Sequence, residues 1–145
     1  MRITQVEADS LIKMDKFFNG DNDYEYPPPG DKLSVPLESS DKKENFIVDI
    51  NRSYISLQKV NFQTRARKAI ALVRVDIGGA VHRNPDGAEI QCPHIHIYKE
   101  GWGDKWAKPL PDDFRDPSDI YATLDDFLVY CRVVVKPKFH RGLLS

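Results

Sequence analysis

Cysteine is scarce: the chain holds two, Cys92 and Cys131, far apart and outside any CxxC pair. That argues against a disulfide framework and against a thiolate zinc knuckle, and fits a reducing compartment. Long apolar runs are missing too. No stretch approaches the roughly 20 apolar residues of a membrane span, and Met1-Arg2-Ile3-Thr4-Gln5-Val6-Glu7 lacks the apolar centre of a signal peptide. The expected location is the cytoplasm, with no membrane partner. Nor is there an excess of either charge: 21 basic residues face 22 acidic ones, for a formal net charge of -1. A nucleic-acid partner would have to be met by a local patch rather than by the summed field. No internal repeat or interdomain linker stands out, and 145 residues suit one domain spanning 1–145.

What is present is a change of period along the chain. Thr4 and Glu7 form a capping box, and Val6, Leu11, Ile12 and Met14 carry a helical stripe as far as Phe17-Phe18. Residues 19–45, with Gly20-Asp21-Asn22-Asp23, three prolines at 27–29 and a charged second half, predict a long loop with at most a short strand at Leu33–Leu37. From Phe46 the period is two. Phe46–Ile50 and Tyr54–Gln58 read as strands joined at Asn51-Arg52-Ser53, with Val60–Arg67 continuing or following the second, and Ala69–Ile77 as a third, β-branched strand. Asn84-Pro85-Asp86-Gly87 is turn sequence and leads to a strand around His94–Lys99. Four strands without intervening helices predict an antiparallel meander. A second helix is expected from Thr123, with Asp125 and Asp126 in its first turn, followed by a short strand at Val133–Val135. The expected fold class is α+β: an antiparallel β-sheet of four or five strands with an N-terminal and a C-terminal helix. The 78–91 and 101–118 loops are expected to cover its polar face.

Alternation puts Cys92, His94, His96 and Tyr98 on one side of their strand and Pro93, Ile95 and Ile97 on the other. The isoleucines are expected in the core, which turns the histidines away from it. The same rule groups Ala71, Val73, Val75 and Ile77, with Ile70, Leu72, Arg74 and Asp76 on the reverse. Pairing of these two strands would bring Arg74 and Asp76 beside His94 and His96.

Spacing limits the chemistry. Residues two apart on a strand stand roughly 7 Å apart, close enough for two imidazoles to meet at one metal or one phosphate; residues four apart, at about 13 Å, are not. A metal centre therefore needs His94, His96 and a third group, for which His82 and Asp76 are the candidates. The main expectation needs no cofactor. One imidazole of His94 and His96 accepts a ribose hydroxyl proton and the other protonates the leaving oxygen; Arg74 or Arg83 stabilises the phosphoryl charge and Tyr98 assists. His82, Asp76, Arg65, Arg67, Lys105, Trp102 and Trp106 would bind, the tryptophans by base stacking. On this reading the chain is a small ribonuclease or related phosphodiester-processing enzyme, a toxin or defence component, with RNA or a cognate protein inhibitor as partner. The second reading is a protein holding a divalent transition metal at His82, His94 and His96, and the third a non-enzymatic module binding protein or nucleic acid.

Each signal has a plainer explanation. Two strand histidines can be structurally hydrogen-bonded, and His82 can belong to a turn. Trp102 and Trp106 can anchor a loop on the sheet, Arg65 and Arg67 can mark an exposed strand end, and Asp104-Lys105 can be a surface pair.

His82-Arg83-Asn84-Pro85-Asp86-Gly87, Pro93-His94-Ile95-His96-Ile97-Tyr98 and Glu100-Gly101 with Gly103-Asp104-Lys105-Trp106-Ala107 together resemble a family of small bacterial proteins. The resemblance runs from the N-terminal helix to Phe127–Cys131. It carries no activity, cofactor, partner or catalytic assignment.

Overall fold

The structure is a computed structural model that describes residues 2–141. Helix α1 (Gln5–Lys13) starts where the capping box places it, with the Thr4 hydroxyl accepting from the Glu7 N–H. The helical stripe does not continue to Phe18: strand β1 occupies Lys16–Phe17. Lys16 explains the stop. Its side chain is buried, and its ammonium donates to the carbonyls of Ile12, Met14 and Cys131 at 3.1, 2.9 and 2.8 Å, which gives the unpaired carbonyls at the end of α1 a donor.

Strands β2 (Tyr24–Glu25), β3 (Lys32–Glu38), β4 (Asn45–Arg52), β5 (Val60–Ala66) and β6 (Ile70–Ile77) follow. After a two-stranded ribbon, β7 (His82–Arg83) and β8 (Glu89–Ile90), come β9 (His94–Ile97) and β10 (Ala107–Pro109). Helix α2 (Ile120–Tyr130), β11 (Val133–Val135) and β12 (Phe139–His140) complete the described chain. The main sheet has eight strands in the order β10-β9-β6-β5-β4-β3-β1-β11, with β1 and β11 parallel and its other pairs antiparallel. The expected antiparallel sheet of four or five strands is thus corrected to a larger, mixed one. Three segments account for the difference. The 19–45 loop contains a full seven-residue strand, β3; the 101–118 loop supplies β10; and the end of the expected first helix pairs with Val133 and Val135. Pro36 does not prevent β3 from forming. Only Glu38 of β3 meets β1, so Pro36 lies where no second neighbour needs its missing N–H.

Tyr54–Gln58 is no strand. The Ser53 hydroxyl accepts from the Ile55 and Ser56 amides and closes a turn, leaving Tyr54, Ile55 and Leu57 exposed; the second strand begins at Val60. Helix α2 begins earlier than expected, because Asp119 rather than Thr123 caps it, accepting from the Tyr121 and Ala122 amides. Asp125 and Asp126 therefore fall beyond the first turn, and Asp126 accepts instead from Arg115.

Between β5 and β6 the register slips at Thr64/Arg65: Thr64 faces Val73 and Arg65 faces Ala71, so Leu72 is the extra residue of a bulge. Ile70 and Leu72 then join Val73, Val75 and Ile77 in the core, not Arg74 and Asp76 on the reverse. The core also takes Phe46, Val48, Ile50 and Phe62 from the sheet, Leu11 from α1 and Phe127 from α2, where the Phe62 and Phe127 rings stand 5.9 Å apart. Among the described residues no helix is long and apolar enough to cross a membrane.

Candidate functional site

The site lies on the side of β6 and β9 away from Val75 and Ile95. The two strands pair antiparallel, with Arg74 opposite His96 and Asp76 opposite His94. Directly opposed side chains share a face, so four polar groups are set side by side. His94 and His96 are 2% and 1% exposed, two enclosed groups rather than two groups in an open cleft. Neither belongs to the hydrocarbon core, and their ring centroids are 5.0 Å apart.

Each imidazole is held from behind by a backbone carbonyl. His94 Nδ1 is 3.2 Å from the Gln91 carbonyl and His96 Nδ1 2.8 Å from that of Asp104. A carbonyl only accepts, so both Nδ1 atoms carry a proton and donate it. Both Nε2 atoms converge on one carboxylate oxygen, Oδ2 of Asp76, at 3.1 Å from His94 and 3.2 Å from His96. The three ligand-capable atoms lie within 4.8 Å of one another.

Arg74 closes the group. Its Nε is 3.0 Å from Asp76 Oδ1, its Nη1 donates to Asp104 Oδ2 at 2.9 Å, and its Nη2 meets His96 Nε2 at 3.0 Å. Burial works against ionisation of Asp76, but the His96 hydrogen bond and the Arg74 charge outweigh it and hold the carboxyl well below the usual carboxylate range. His82 stands over the pair, with ring centroids 4.6 Å from His96 and 5.9 Å from His94 and its Nε2 2.7 Å from the Lys105 carbonyl. Beside them lies a hollow of about 290 Å³, lined by Lys59, Arg74, Asp76, Gly79, His82 and His94.

Other expected site residues lie elsewhere. Tyr98 is buried in the core, where its hydroxyl donates to the Ile3 carbonyl at 2.7 Å and accepts from the Ile3 N–H. Arg65 is paired with Asp49, and Arg67 with Glu7 and Glu44, at the end of β5 remote from Val60 and the hollow. Arg83 pairs with Glu89 on the β7–β8 ribbon and is largely exposed. Trp102 and Trp106 meet edge to face at 6.0 Å, and the Lys99 ammonium lies 4.3 Å from the Trp106 ring. Lys105 contributes its carbonyl to His82 rather than its charge to the hollow.

Sequence reasoning missed two residues that build the site. Asp104 serves it twice, by its carbonyl to His96 and its carboxylate to Arg74. Gly101 and Gly103, at φ of 82° and 62°, shape the turn that presents it. Asn84, read as turn sequence, is buried, and its amide donates to the Ala107 carbonyl and accepts from the Ala107 N–H. It ties the 78–91 cover to β10.

A family model described as a family of unknown function, DUF6978, matches residues 3–133. The chain belongs to the DUF6978 family. The matched span runs from Ile3, held by Tyr98, to Val133 of β11, so this DUF6978 chain has its whole histidine–aspartate group inside the family region. No curated protein and no solved structure matches it.

Proposed function

We propose that this DUF6978 protein binds one divalent first-row transition metal through Asp76 Oδ2, His94 Nε2 and His96 Nε2. One observation carries the reading: two imidazoles, each with its Nδ1–H committed to a backbone carbonyl, turn their other nitrogens on a single carboxylate oxygen. Metal-bound histidines characteristically donate their remaining N–H to a carbonyl or carboxylate. With metal–ligand bonds of about 2.0–2.1 Å, ligand atoms around a tetrahedral ion are roughly 3.3 Å apart, close to the 3.1 and 3.2 Å between the rings and Asp76. Two nitrogens and one oxygen suit zinc, iron or cobalt and leave coordination positions for water or substrate. His82 serves as a wall of the hollow: the ligand atoms that lie within 4.8 Å of one another are those of Asp76, His94 and His96. A metal here lowers the pKa of a bound water and supplies a nucleophile near neutral pH.

Protein stripped with a chelator and titrated with Co²⁺ is expected to take up one equivalent with visible absorption bands, and the His94→Ala/His96→Ala variant to take up none. Folded wild-type protein that binds no Co²⁺, Zn²⁺ or Fe²⁺ overturns the reading.

One contact supports a second, metal-free reading. The Arg74 guanidinium sits 3.0 Å from His96 Nε2, an arrangement suited to imidazole acid–base chemistry on a phosphodiester such as RNA. Cleavage of RNA that survives chelation and is lost in His96→Ala would favour it over the metal.

A further inference from the structure

We infer that the hollow beside Asp76 is a receptor for a phosphoryl group, filled after the metal is in place, with Lys59 and Arg74 as its anion-binding cations. This inference rests on the metal reading above and names the ligand class of the same site. The argument begins with charge. Asp76 is the one acidic residue lining the hollow, while Lys59 and Arg74 line it from the opposite sign. Among the described residues Lys59 has no carboxylate within ion-pair distance, whereas Arg74 is balanced by Asp76 and Asp104. A free ammonium at the rim of a concave site has no internal counter-charge to satisfy it, so it is available to an incoming anion.

A divalent ion at Asp76, His94 and His96 changes the balance in a definite direction. It takes Asp76 Oδ2 and His96 Nε2, the two atoms that the Arg74 Nη2 now meets at 3.3 and 3.0 Å, while Asp76 Oδ1 goes on accepting from the Arg74 Nε at 3.0 Å. Arg74 keeps its Nη1 contact to Asp104, at 2.9 Å, on the other end of the fork. The guanidinium thus stays tethered beside the hollow by its Nε and Nη1, with its Nη2 donors free. The freed Nη2, oriented by the two contacts that remain, donates to the oxygens of a tetrahedral oxyanion, a role the guanidinium charge favours. The metal, Arg74 and Lys59 then surround the hollow with more positive charge than Asp76 and Asp104 cancel, and a dianionic phosphoryl group fits that excess better than a carboxylate. Space allows it: about 290 Å³ holds roughly ten waters at ~30 Å³ each. In the metal-free state Asp76 repels the anion and Arg74 is occupied, so binding is ordered, metal first.

The test uses the full chain loaded with Co²⁺, titrated by calorimetry and by its visible spectrum with inorganic phosphate and, separately, with phenyl phosphate. Loaded wild type is expected to bind both probes at least about ten-fold more tightly than the metal-free protein, with a change in the cobalt bands. Lys59→Ala, an exposed position, is expected to weaken both by about ten-fold at unchanged cobalt stoichiometry. Arg74→Gln is expected to bind Co²⁺ more tightly, having lost a competing cation, and phosphate more weakly. Tighter binding of phenyl phosphate assigns the site to a phosphoester, and equal binding assigns it to free phosphate. Equal phosphate affinity with and without cobalt, or no effect of Lys59→Ala, overturns the anion site while leaving the metal reading intact. Failure of wild type to bind cobalt removes the metal reading itself, and is seen before any phosphate is added.

Discussion

Asp76 stands directly opposite His94 in the β6–β9 ladder, and one of its carboxylate oxygens is 3.1 Å from the His94 Nε2. The same oxygen is 3.2 Å from His96, so this carboxylate is the common partner of both rings and of Arg74.

Asp76→Asn keeps the shape and removes the charge. Metal affinity is expected to fall by well over ten-fold, since a neutral amide is a poor ligand and leaves Arg74 with less counter-charge. Without metal, the variant should lose roughly 1–3 kcal/mol, the cost of a weakened buried hydrogen-bonded group. Urea unfolding with and without Zn²⁺ measures both effects, and a metal-dependent stabilisation as large as that of wild type contradicts the assignment.

Asn84→Ala removes both hydrogen bonds to Ala107 and leaves a buried N–H and C=O unpaired. The expected loss is about 2–4 kcal/mol. Amide exchange at Ala107 should accelerate, and with it exchange at His96, its partner in the β9–β10 ladder. Unchanged protection at Ala107 would show that the side-chain clamp does not hold the strand.

Gly78 has φ of 67°, and a Cβ there would run into the Gln58 carbonyl. Gly78→Ala should cost about 1–3 kcal/mol from the backbone alone, before the clash is counted. Because Gly78 follows Ile77 and precedes Gly79, both lining the hollow, the variant should also weaken Co²⁺ uptake. Calorimetric Tm and cobalt titration on the same sample test the pair of effects.

The alkaline limb of the stability curve should carry two opposed signatures. Burial lowers Lys16 from 10.5 to about 8, so between those values the unfolded chain holds a proton the folded chain has released, and stability rises with pH. Burial pushes the Cys131 thiol up from 9.0 to about 12, so between those values the folded chain holds the extra proton and stability falls. Each contributes at most ~1.4 kcal/mol per pH unit. Wild type is expected to gain stability from pH 8 to 9, level off to 10.5 and lose it above, where the raised Tyr130 adds to the fall. Lys16→Met should abolish the early rise and fall from pH 9 onward. Urea midpoints across pH 7–11 for both proteins decide it; an identical pH profile in the two would contradict a role for Lys16.

Much of the local grammar was legible before any coordinates. The Thr4 cap, the period-two strands at 46–50 and 70–77, and the Ile95 core position follow from rules acting over a few residues, where side-chain chemistry and backbone geometry are nearly self-sufficient. Strand β3 was obscured by Pro36 and by the charges around it, because an edge position excuses the proline and edges exist only once a sheet has formed. The bulge at Leu72 was equally hidden, since a one-residue slip is a property of two strands together.

By itself the sequence determined that His94 and His96 share a face opposite Ile95, because alternation is a property of one strand. Only the tertiary structure decided that Asp76 and Arg74 lie against them, that Tyr98 leaves their company for Ile3, and that Asp104 reaches in from a loop. Those are long-range pairings, set by which core packing and which strand register bury most apolar surface while satisfying every buried polar group, and no short window of residues contains that comparison.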